Sequence, residues 1–161
     1  MVPSDHPAWI AMRHDLWPEC PLEQHRLEVE QILRDDGVVL LAEDGRGRAL
    51  GFAEASVRRD HVEGTSSSPV PYIEGWYVVP DRRGQGIGRA LVEAVAAWAV
   101  RAGFTELASD AELTNEGSIR AHARLGFREA GRTVHFVRPL VADATEGTVS
   151  AVPAQRADMG S

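Results

Sequence analysis

The chain has 161 residues, a single cysteine and a formal net charge of −7, and 43% of its residues are hydrophobic. This length predicts one domain with an ordinary core. Cys20 alone cannot form an internal disulfide, which favours a reducing, cytoplasmic compartment. The acidic balance argues against a nucleic-acid partner and favours a cationic one.

Neither a membrane nor a metal is an expected partner. No apolar run approaches the roughly 18 residues of a membrane span, and the N-terminus lacks the basic-then-apolar layout of a secretion signal. The six histidines show no H-x-x-x-H pair or similar ligand spacing. We therefore expect no membrane association and no bound metal.

Two helices and a β-hairpin are predicted in the first third of the chain. The first helix is expected over Asp5 to Leu16, and the second over Leu22 to Arg34, with Gly37 ending it. A buried strand at 38–42 and its partner at 50–57 flank a glycine-rich turn.

The middle of the chain alternates strand, helix and strand. After a polar loop, a strand is expected at 71–79, a helix at 89–102 and a short strand at 105–109. This order implies a parallel strand pair joined by a right-handed crossover. The helix carries two adjacent apolar lines, formed by Leu91, Val95 and Trp98 and by Val92, Ala96 and Ala99.

The last predicted elements are a helix at 114–124 and a strand at 133–137. Beyond them, 141–161 has almost no large apolar residues, and such a composition is typical of a loose tail. The sequence therefore predicts an α/β (α+β) domain over 1–140, followed by a low-complexity C-terminal tail over 141–161.

Three glycines at alternate positions, Gly84, Gly86 and Gly88, separate the third strand from its helix. Glycines allow close approach of a ligand, and the helix N-terminus offers free N–H groups, which together indicate a phosphate site. A P-loop would end in Gly-Lys-Ser/Thr, and a dinucleotide fingerprint requires G-x-G-x-x-G, so neither matches. An ordinary glycine-rich turn remains the alternative.

The pattern Arg83-x-x-Gly86-x-Gly88 resembles the acetyl-CoA loop of the GNAT acetyltransferase superfamily. The element order over 38–138, and Leu125-Gly126-Phe127 after the last helix, resemble the same family. Further pieces resemble its aminoglycoside 6′-N-acetyltransferases (type I): Leu16-Trp17-Pro18, Arg59-Asp60-His61-Val62, Ser67-Ser68-Pro69-Val70, Glu74-Gly75 and Ala108-Ser109-Asp110.

The resemblance implies a GNAT fold, a mixed central sheet with helices on both faces and a central parallel pair. It implies direct acetyl transfer from acetyl-CoA to the 6′-amine of an aminoglycoside, giving antibiotic resistance, and a homodimer. Acetylation of another amine, on a protein N-terminus or a polyamine, and a non-catalytic acyl-CoA-binding module remain the alternatives. The implied cofactor contacts come from Trp76, Tyr77, Val78, Arg83, Gly84, Gln85, Gly86, Ile87, Gly88, Arg89 and Asn115.

Four residues are candidates for substrate binding, and two of them are also candidates for catalysis. Glu74 lies in an apolar strand and needs a partner, which is either the substrate or a core arginine. Asp110 ends the next strand, and the resemblance favours it as proton acceptor over a helix cap. Trp17 and His61 match substrate-contacting positions, although Trp17 also suits core packing.

Three positions depart from the family pattern. The family opens with a strand before its first helix, and we expect that strand to be missing here. Gly131 stands where the family places an acidic substrate contact, with Glu129 close by. His122 stands where many members carry a tyrosine that protonates the leaving thiolate, and Asn115 also suits the N-cap of a helix.

Overall fold

The structure is a computed structural model that describes residues 6–32, 34 and 36–139. The tail at 141–161 and the start of the first predicted helix, Asp5, lie outside the described residues. The elements are α1 (His6–Leu16), α2 (Leu22–Ile32), β1 (Val38–Glu43), β2 (Ala49–Arg58), β3 (Val70–Val78), a short 3-10 helix (Pro80–Arg82), α3 (Ile87–Arg101), β4 (Ala108–Ser109) and α4 (Glu116–Arg124).

The four strands form one sheet in the order β1-β2-β3-β4. The first two pairings are antiparallel, and β3 pairs with β4 in parallel, so the crossover through α3 follows the predicted strand–helix–strand order. The mixed α/β architecture is confirmed. The parallel pair lies at the edge of the described sheet, however, and not at its centre.

Helices cover both faces of the sheet, as the sequence predicts. One core contains Ala53, Ala55 and Ile73 from the strands together with Leu91 and Val95 of α3. The opposite core joins Trp9 and Met12 of α1 and Val29 of α2 to Phe52 and Tyr77 of the strands. Neighbouring residues 52 and 53 thus face different helix layers, as the two-residue period of a strand requires.

A β-bulge interrupts β3 at Glu74. On β2, Glu54 pairs with Gly75 and the next residue, Ala55, pairs with Ile73, so Glu74 is an extra residue without a partner. A bulge shifts the alternation of side chains by one position. Ile73 before the bulge and Trp76 after it therefore pack on the same core.

Three predicted elements have different bounds in the structure, and a fourth predicted element is wrong. Helix α3 begins at Ile87 instead of 89, because Gly86 adopts φ +84° and serves as its N-cap. Strand β4 keeps only two paired residues of the predicted 105–109, and α4 begins at Glu116 instead of 114, because Asn115 caps it. The strand predicted at 133–137 is wrong for this chain alone, because this segment pairs with no strand of the described sheet.

The expected absence of a first strand concerns the residues before α1, and these lie outside the described residues. No described helix is long and apolar enough to cross a lipid bilayer.

Candidate functional site

The glycine turn leads directly into the N-terminus of α3. Gly84 and Gly86 have φ values of +74° and +84°, which side-chain-bearing residues rarely adopt. No side chain caps α3, so the N–H groups of its first turn face the space in front of the helix. An added Cβ at Gly84 or Gly86 would meet nothing within 4 Å, so backbone conformation and not protein crowding requires these two glycines.

Gly88 has a different requirement. It lies in the first turn of α3, and an added Cβ would lie 3.0 Å from the indole ring of Trp76. Close packing of the helix on β3 therefore sets this position. One motif of three glycines combines two turn residues with one packing residue.

Arginines surround the turn and are held by backbone carbonyls. The Nε atom of Arg83 donates to the Val78 carbonyl at 2.9 Å, and the Arg83 guanidinium lies 5.5 Å from the Tyr77 ring centroid. Arg89 donates to the Arg124 carbonyl at 3.3 Å. Their positive charges, with the helix N-terminus, favour a phosphate group at this place.

The strands β3 and β4 separate beside this turn. Only Tyr72 and Ile73 of β3 pair with β4, so Trp76, Tyr77 and Val78 continue without a strand on that side. The Trp76 ring lies edge-on to the ring of His122 of α4, with 5.6 Å between centroids. This gap can accept an extended ligand arm that uses the unpaired backbone groups of β3.

Asn115 is the N-cap of α4. Its Oδ1 atom accepts a hydrogen bond from the Ser118 N–H at 3.0 Å, and the residue is exposed. Asn115 is therefore a helix cap, as the alternative interpretation of the sequence predicts. Its exposed side-chain N–H₂ donors are directed away from the capping bond.

His122 is held at both ring nitrogens. Nδ1 lies 2.8 Å from the Ser118 carbonyl, which can only accept, so Nδ1 carries the proton. In the neutral ring Nε2 then accepts from the Ser109 hydroxyl, 3.0 Å away. His122 thus joins α4 to the end of β4 beside the gap.

The bulge residue Glu74 is bound by β2. Its carboxylate accepts two bonds from the Arg58 guanidinium, at 2.9 and 2.6 Å, and one from the Ser56 hydroxyl at 2.5 Å. In the free protein, Glu74 therefore pairs with an arginine, as one of the two interpretations of the sequence predicts. With 29% of its side chain exposed, the carboxylate remains accessible to a ligand.

Asp110 joins the same cluster through Tyr72. The Arg58 guanidinium carbon lies 3.4 Å from the Tyr72 ring centroid, and the Asp110 carboxylate is near enough to the Tyr72 hydroxyl to affect its pKa. Burial, followed by the negative charge of Asp110, raises the pKa of Tyr72 to about 12. The hydrogen bond that Arg58 donates to Glu74 is the main cause of the raised pKa of Arg58, and the negative charge of Asp110 adds to it. Since α4 is capped by Asn115, Asp110 is not its cap.

Trp17 lies behind β3 and packs on aromatic and charged groups. Its ring stacks on His25 at 6.4 Å, and the Arg13 guanidinium lies 4.8 Å from its centroid. An added Cβ on Gly75 would lie 2.5 Å from its Cη2 atom. Most of the Trp17 ring is therefore used in packing, as the alternative interpretation of the sequence predicts. The residue nevertheless remains partly exposed.

His61 and Glu129 lie on exposed segments outside this cluster. The His61 side chain is 81% exposed, with Glu63 3.6 Å from its Nε2 atom. Glu129 pairs with Arg132 at 2.6 Å, which lowers the pKa of the glutamate. The structure does not bring either residue to Glu74 or Asp110.

The sequence analysis missed a buried charge network beneath the site. Arg13 of α1 bonds to the carboxylates of Glu54 and Glu28, and the Trp9 Nε1–H donates to Glu54 at 3.0 Å. Burial raises the pKa of Glu54, whereas Arg13 lowers it. A glutamate at the centre of an apolar strand was the available signal, and at Glu54 it was overlooked.

Comparison with known proteins gives a consistent result. Residues 8–127 match the model of the Acetyltransferase (GNAT) family. The chain is 46% identical to an aminoglycoside N(6')-acetyltransferase type 1 of Stenotrophomonas maltophilia, over 86% of this chain and 90% of the relative. It is 43% identical to the protein of the same name from Klebsiella aerogenes, over 85% and 92%.

Solved structures agree with these relatives. The complex of AAC(6')-Iy with the bisubstrate analogue CoA-S-monomethyl-acetylneamine has a TM-score of 0.81 and 36% identity, covering 87% of this chain and 95% of that one. The 6'-N-acetyltransferase AAC(6')-Ih from Acinetobacter baumannii has a TM-score of 0.80 and 37% identity, covering 88% and 96%.

Proposed function

The chain belongs to the GNAT family of acetyltransferases, and we propose that it moves the acetyl group of acetyl-CoA to the 6′-amine of aminoglycosides. One observation carries the proposal: Glu74 and Asp110 converge through Arg58 and Tyr72 beside the gap that follows the glycine turn. A polycationic amine suits this pair of carboxylates. The names of the relatives, and the bisubstrate analogue bound to AAC(6')-Iy, support the same substrates.

The chemistry requires few groups. The neutral amine attacks the thioester carbonyl, a C–N bond forms and the C–S bond breaks, and one amine proton must leave while the CoA thiolate gains one. We assign the first proton to Asp110, directly or through water, because this carboxylate is exposed directly after the end of β4. Binding both reactants in line supplies much of the remaining acceleration.

Asp110→Asn tests this assignment. We expect turnover at saturating kanamycin, followed as free thiol release, to fall by about 10²- to 10⁴-fold. Asp36→Asn, an exposed aspartate between α2 and β1, is the control and should keep wild-type turnover. A near wild-type rate for Asp110→Asn would remove Asp110 from the proposed role, and absence of thiol release with any aminoglycoside would remove the proposed substrate class.

The cofactor site has a matched pair of variants. We expect Gly86→Val to abolish acetyl-CoA binding in calorimetry, because it strains the cap of α3 and places atoms where the pyrophosphate would lie. Gly47→Val, in the β1–β2 turn, imposes the same strain at φ +75° with equally open space. Equal loss of binding in both variants, or unchanged affinity in Gly86→Val, would contradict this site.

We also propose that the protein is a cytoplasmic homodimer. The free Cys20 favours a reducing compartment. The segment 133–137 has the sequence of a strand, yet Phe136 and Val137 are 93% and 96% exposed. A groove of about 370 Å³ borders β4, an edge strand of the described sheet. A second copy could add its 133–137 segment to β4, which would cover both the exposed apolar side chains and the free strand edge.

Light scattering of two variants tests the dimer. Phe136→Glu combined with Val137→Lys should give a monomer at micromolar concentration, while Val100→Lys, which also changes an exposed apolar residue, should remain dimeric. A monomeric wild-type protein would refute the proposal. So would a double variant that stays dimeric.

A further inference from the structure

We propose that Cys20, His25 and Glu28 form a site for a zinc-class divalent metal ion, next to Trp17 and the start of α2. One ligand atom from each of these residues lies within 4.8 Å of the others. The site is separate from the glycine turn and from the Glu74–Asp110 cluster, and acetyl transfer does not require it. The proposal departs from the sequence analysis, which expects no bound metal because the histidines lack the usual paired spacing.

The environment of His25 supports a ligand at this place. The residue is 0% exposed, and neither Nδ1 nor Nε2 has a hydrogen-bond partner among the described residues. A buried imidazole with both nitrogens unsatisfied costs free energy, because at least one N–H has left water without replacement. A metal ion bound to one nitrogen supplies the missing interaction, and one ring nitrogen already lies within 4.8 Å of the Cys20 sulfur and of a Glu28 carboxylate oxygen.

Helix geometry explains how the three residues meet. His25 and Glu28 are three positions apart in α2 and so share one face of the helix. Cys20 lies two residues before α2, where its backbone N–H bonds to the Trp17 carbonyl at 3.1 Å. The resulting spacing, C-x₄-H-x₂-E, joins the α1–α2 turn to the first two turns of α2.

The ligand set selects the kind of ion. A thiolate, an imidazole and a carboxylate suit zinc better than magnesium or calcium, which prefer oxygen ligands throughout. Zinc bonds of about 2.3 Å to sulfur and 2.0 Å to nitrogen place these two atoms roughly 3.6 Å apart. Since the ligand atoms lie within 4.8 Å of one another, the sulfur and the nitrogen need to close by at most about 1 Å. Three protein ligands leave a fourth position for water or for the neighbouring His14, whose Nδ1 is also buried without a partner.

Glu28 is a shared ligand. Its Oε1 accepts from Gln24 at 3.0 Å, and its Oε2 is paired with Arg13. Such partners orient a metal-binding carboxylate in the way that outer-shell hydrogen bonds do in known sites. Through Arg13 the metal would also be connected to Glu54, the buried carboxylate of β2.

The proposed metal site lies next to Trp17, for which the family resemblance implies a role in substrate binding. The His25 ring stacks on Trp17, with 29° between the ring planes. A metal that fixes His25 would fix the support of Trp17. This consequence rests on the proposed function, whereas metal binding itself does not.

Cobalt substitution of the full chain tests the site directly. After removal of metals with a chelator, Co²⁺ should bind with one ion per chain and give a thiolate-to-cobalt charge-transfer band in the near ultraviolet. Cys20→Ser should lose this band, and its Zn²⁺ affinity in calorimetry should fall by more than about 100-fold, beyond what loss of an outer-shell partner costs. Glu30→Gln, an exposed glutamate on the same helix that pairs with Arg34, should change neither.

His25→Gln is the second ligand variant. If it folds poorly, the wild-type protein still gives a decisive measurement, because an ion that binds only the folded state raises Tm in proportion to ln(1 + [Zn²⁺]/Kd). Absence of both the charge-transfer band and this Tm rise would overturn the site. A band that survives Cys20→Ser would overturn it as well. In the metal-loaded protein we also expect a lower KM for kanamycin than in the metal-free protein, with an unchanged KM for acetyl-CoA.

Discussion

Two glutamates on neighbouring strands each pair with an arginine, in opposite environments. Glu54 and its partner Arg13 are 2% and 4% exposed, beneath the first two helices. Glu74 and its partner Arg58 are 29% and 36% exposed, in the same cluster as Asp110. A buried pair cannot lose one member without leaving an uncompensated charge, whereas a partly solvated pair can exchange its partner for a ligand. The same chemistry therefore serves the fold in one place and leaves a carboxylate available in the other.

The largest expected effect comes from breaking the buried pair. Arg13→Met should lower the free energy of unfolding by about 3–5 kcal/mol, because Glu54 keeps its burial and loses its charge partner. Urea denaturation measures this value. Arg58→Met is the matched change in the exposed pair and should cost about 0–1 kcal/mol. Equal losses in the two variants would remove the distinction between the pairs.

The exposed pair should show its effect in substrate binding. Glu74→Gln is expected to weaken the binding of kanamycin by about 1.5–3 kcal/mol, which corresponds to roughly a 10- to 150-fold higher KM. Turnover at saturation should change far less than in Asp110→Asn. Glu116→Gln, on the exposed first turn of α4, is the control. If Glu74→Gln were inactive at saturation and Asp110→Asn active, the two carboxylates would exchange roles.

Gly75 lies between the two pairs and tests how tightly they are packed. In Gly75→Ala the new Cβ would lie 2.5 Å from Trp17 and 3.2 Å from the Glu54 carboxylate, so we expect a loss of about 1–3 kcal/mol in thermal unfolding. Gly117→Ala provides the opposite control. That position is helical, with its nearest contact at 3.6 Å, so alanine should stabilise it by about 0.5–1 kcal/mol. If Gly75→Ala left the stability unchanged, the Trp17 ring would have to move aside at little cost in free energy.

The smallest effect concerns pH. The pKa of Tyr72 is raised from 10.0 to about 12, so its contribution to stability is complete below pH 10 and is lost as the pH rises toward 12. The chain has only two tyrosines, and Tyr77→Phe isolates Tyr72 for a phenolate absorbance titration. Asp110→Asn in that background should lower the Tyr72 pKa, because it removes a negative charge. An unchanged pKa would separate Asp110 from the cluster.

Much of the site could be located from the sequence because its signals are local. Three alternating glycines before an amphipathic helix specify a turn with positive φ and an open helix N-terminus, whatever surrounds them. A carboxylate in an apolar strand, as at Glu74, similarly predicts a hydrogen-bonding or charged partner. Asp110 could be placed because the end of a parallel strand is a ligand edge in α/β sheets.

Other features depend on contacts between distant residues. The bulge that sets Glu74 apart requires the β2 register, and the choice of Arg58 as its partner follows from that register. The boundaries of α3 and α4 were misplaced by about two residues because caps, not periodicity, set them. The predicted strand at 133–137 has a strand-like sequence, but a strand also needs a partner, and among the described residues this segment pairs with none of the four strands.

By itself, then, the sequence determined the family, the order of the elements and the turn that suits a phosphate, since each is encoded in residues close together along the chain. Only the tertiary structure decided which charges are buried, which arginine each glutamate binds and how Cys20, His25 and Glu28 come together. Those properties depend on burial and on distances across the fold, and a desolvated group changes its pKa and its partners only once the chain has packed around it.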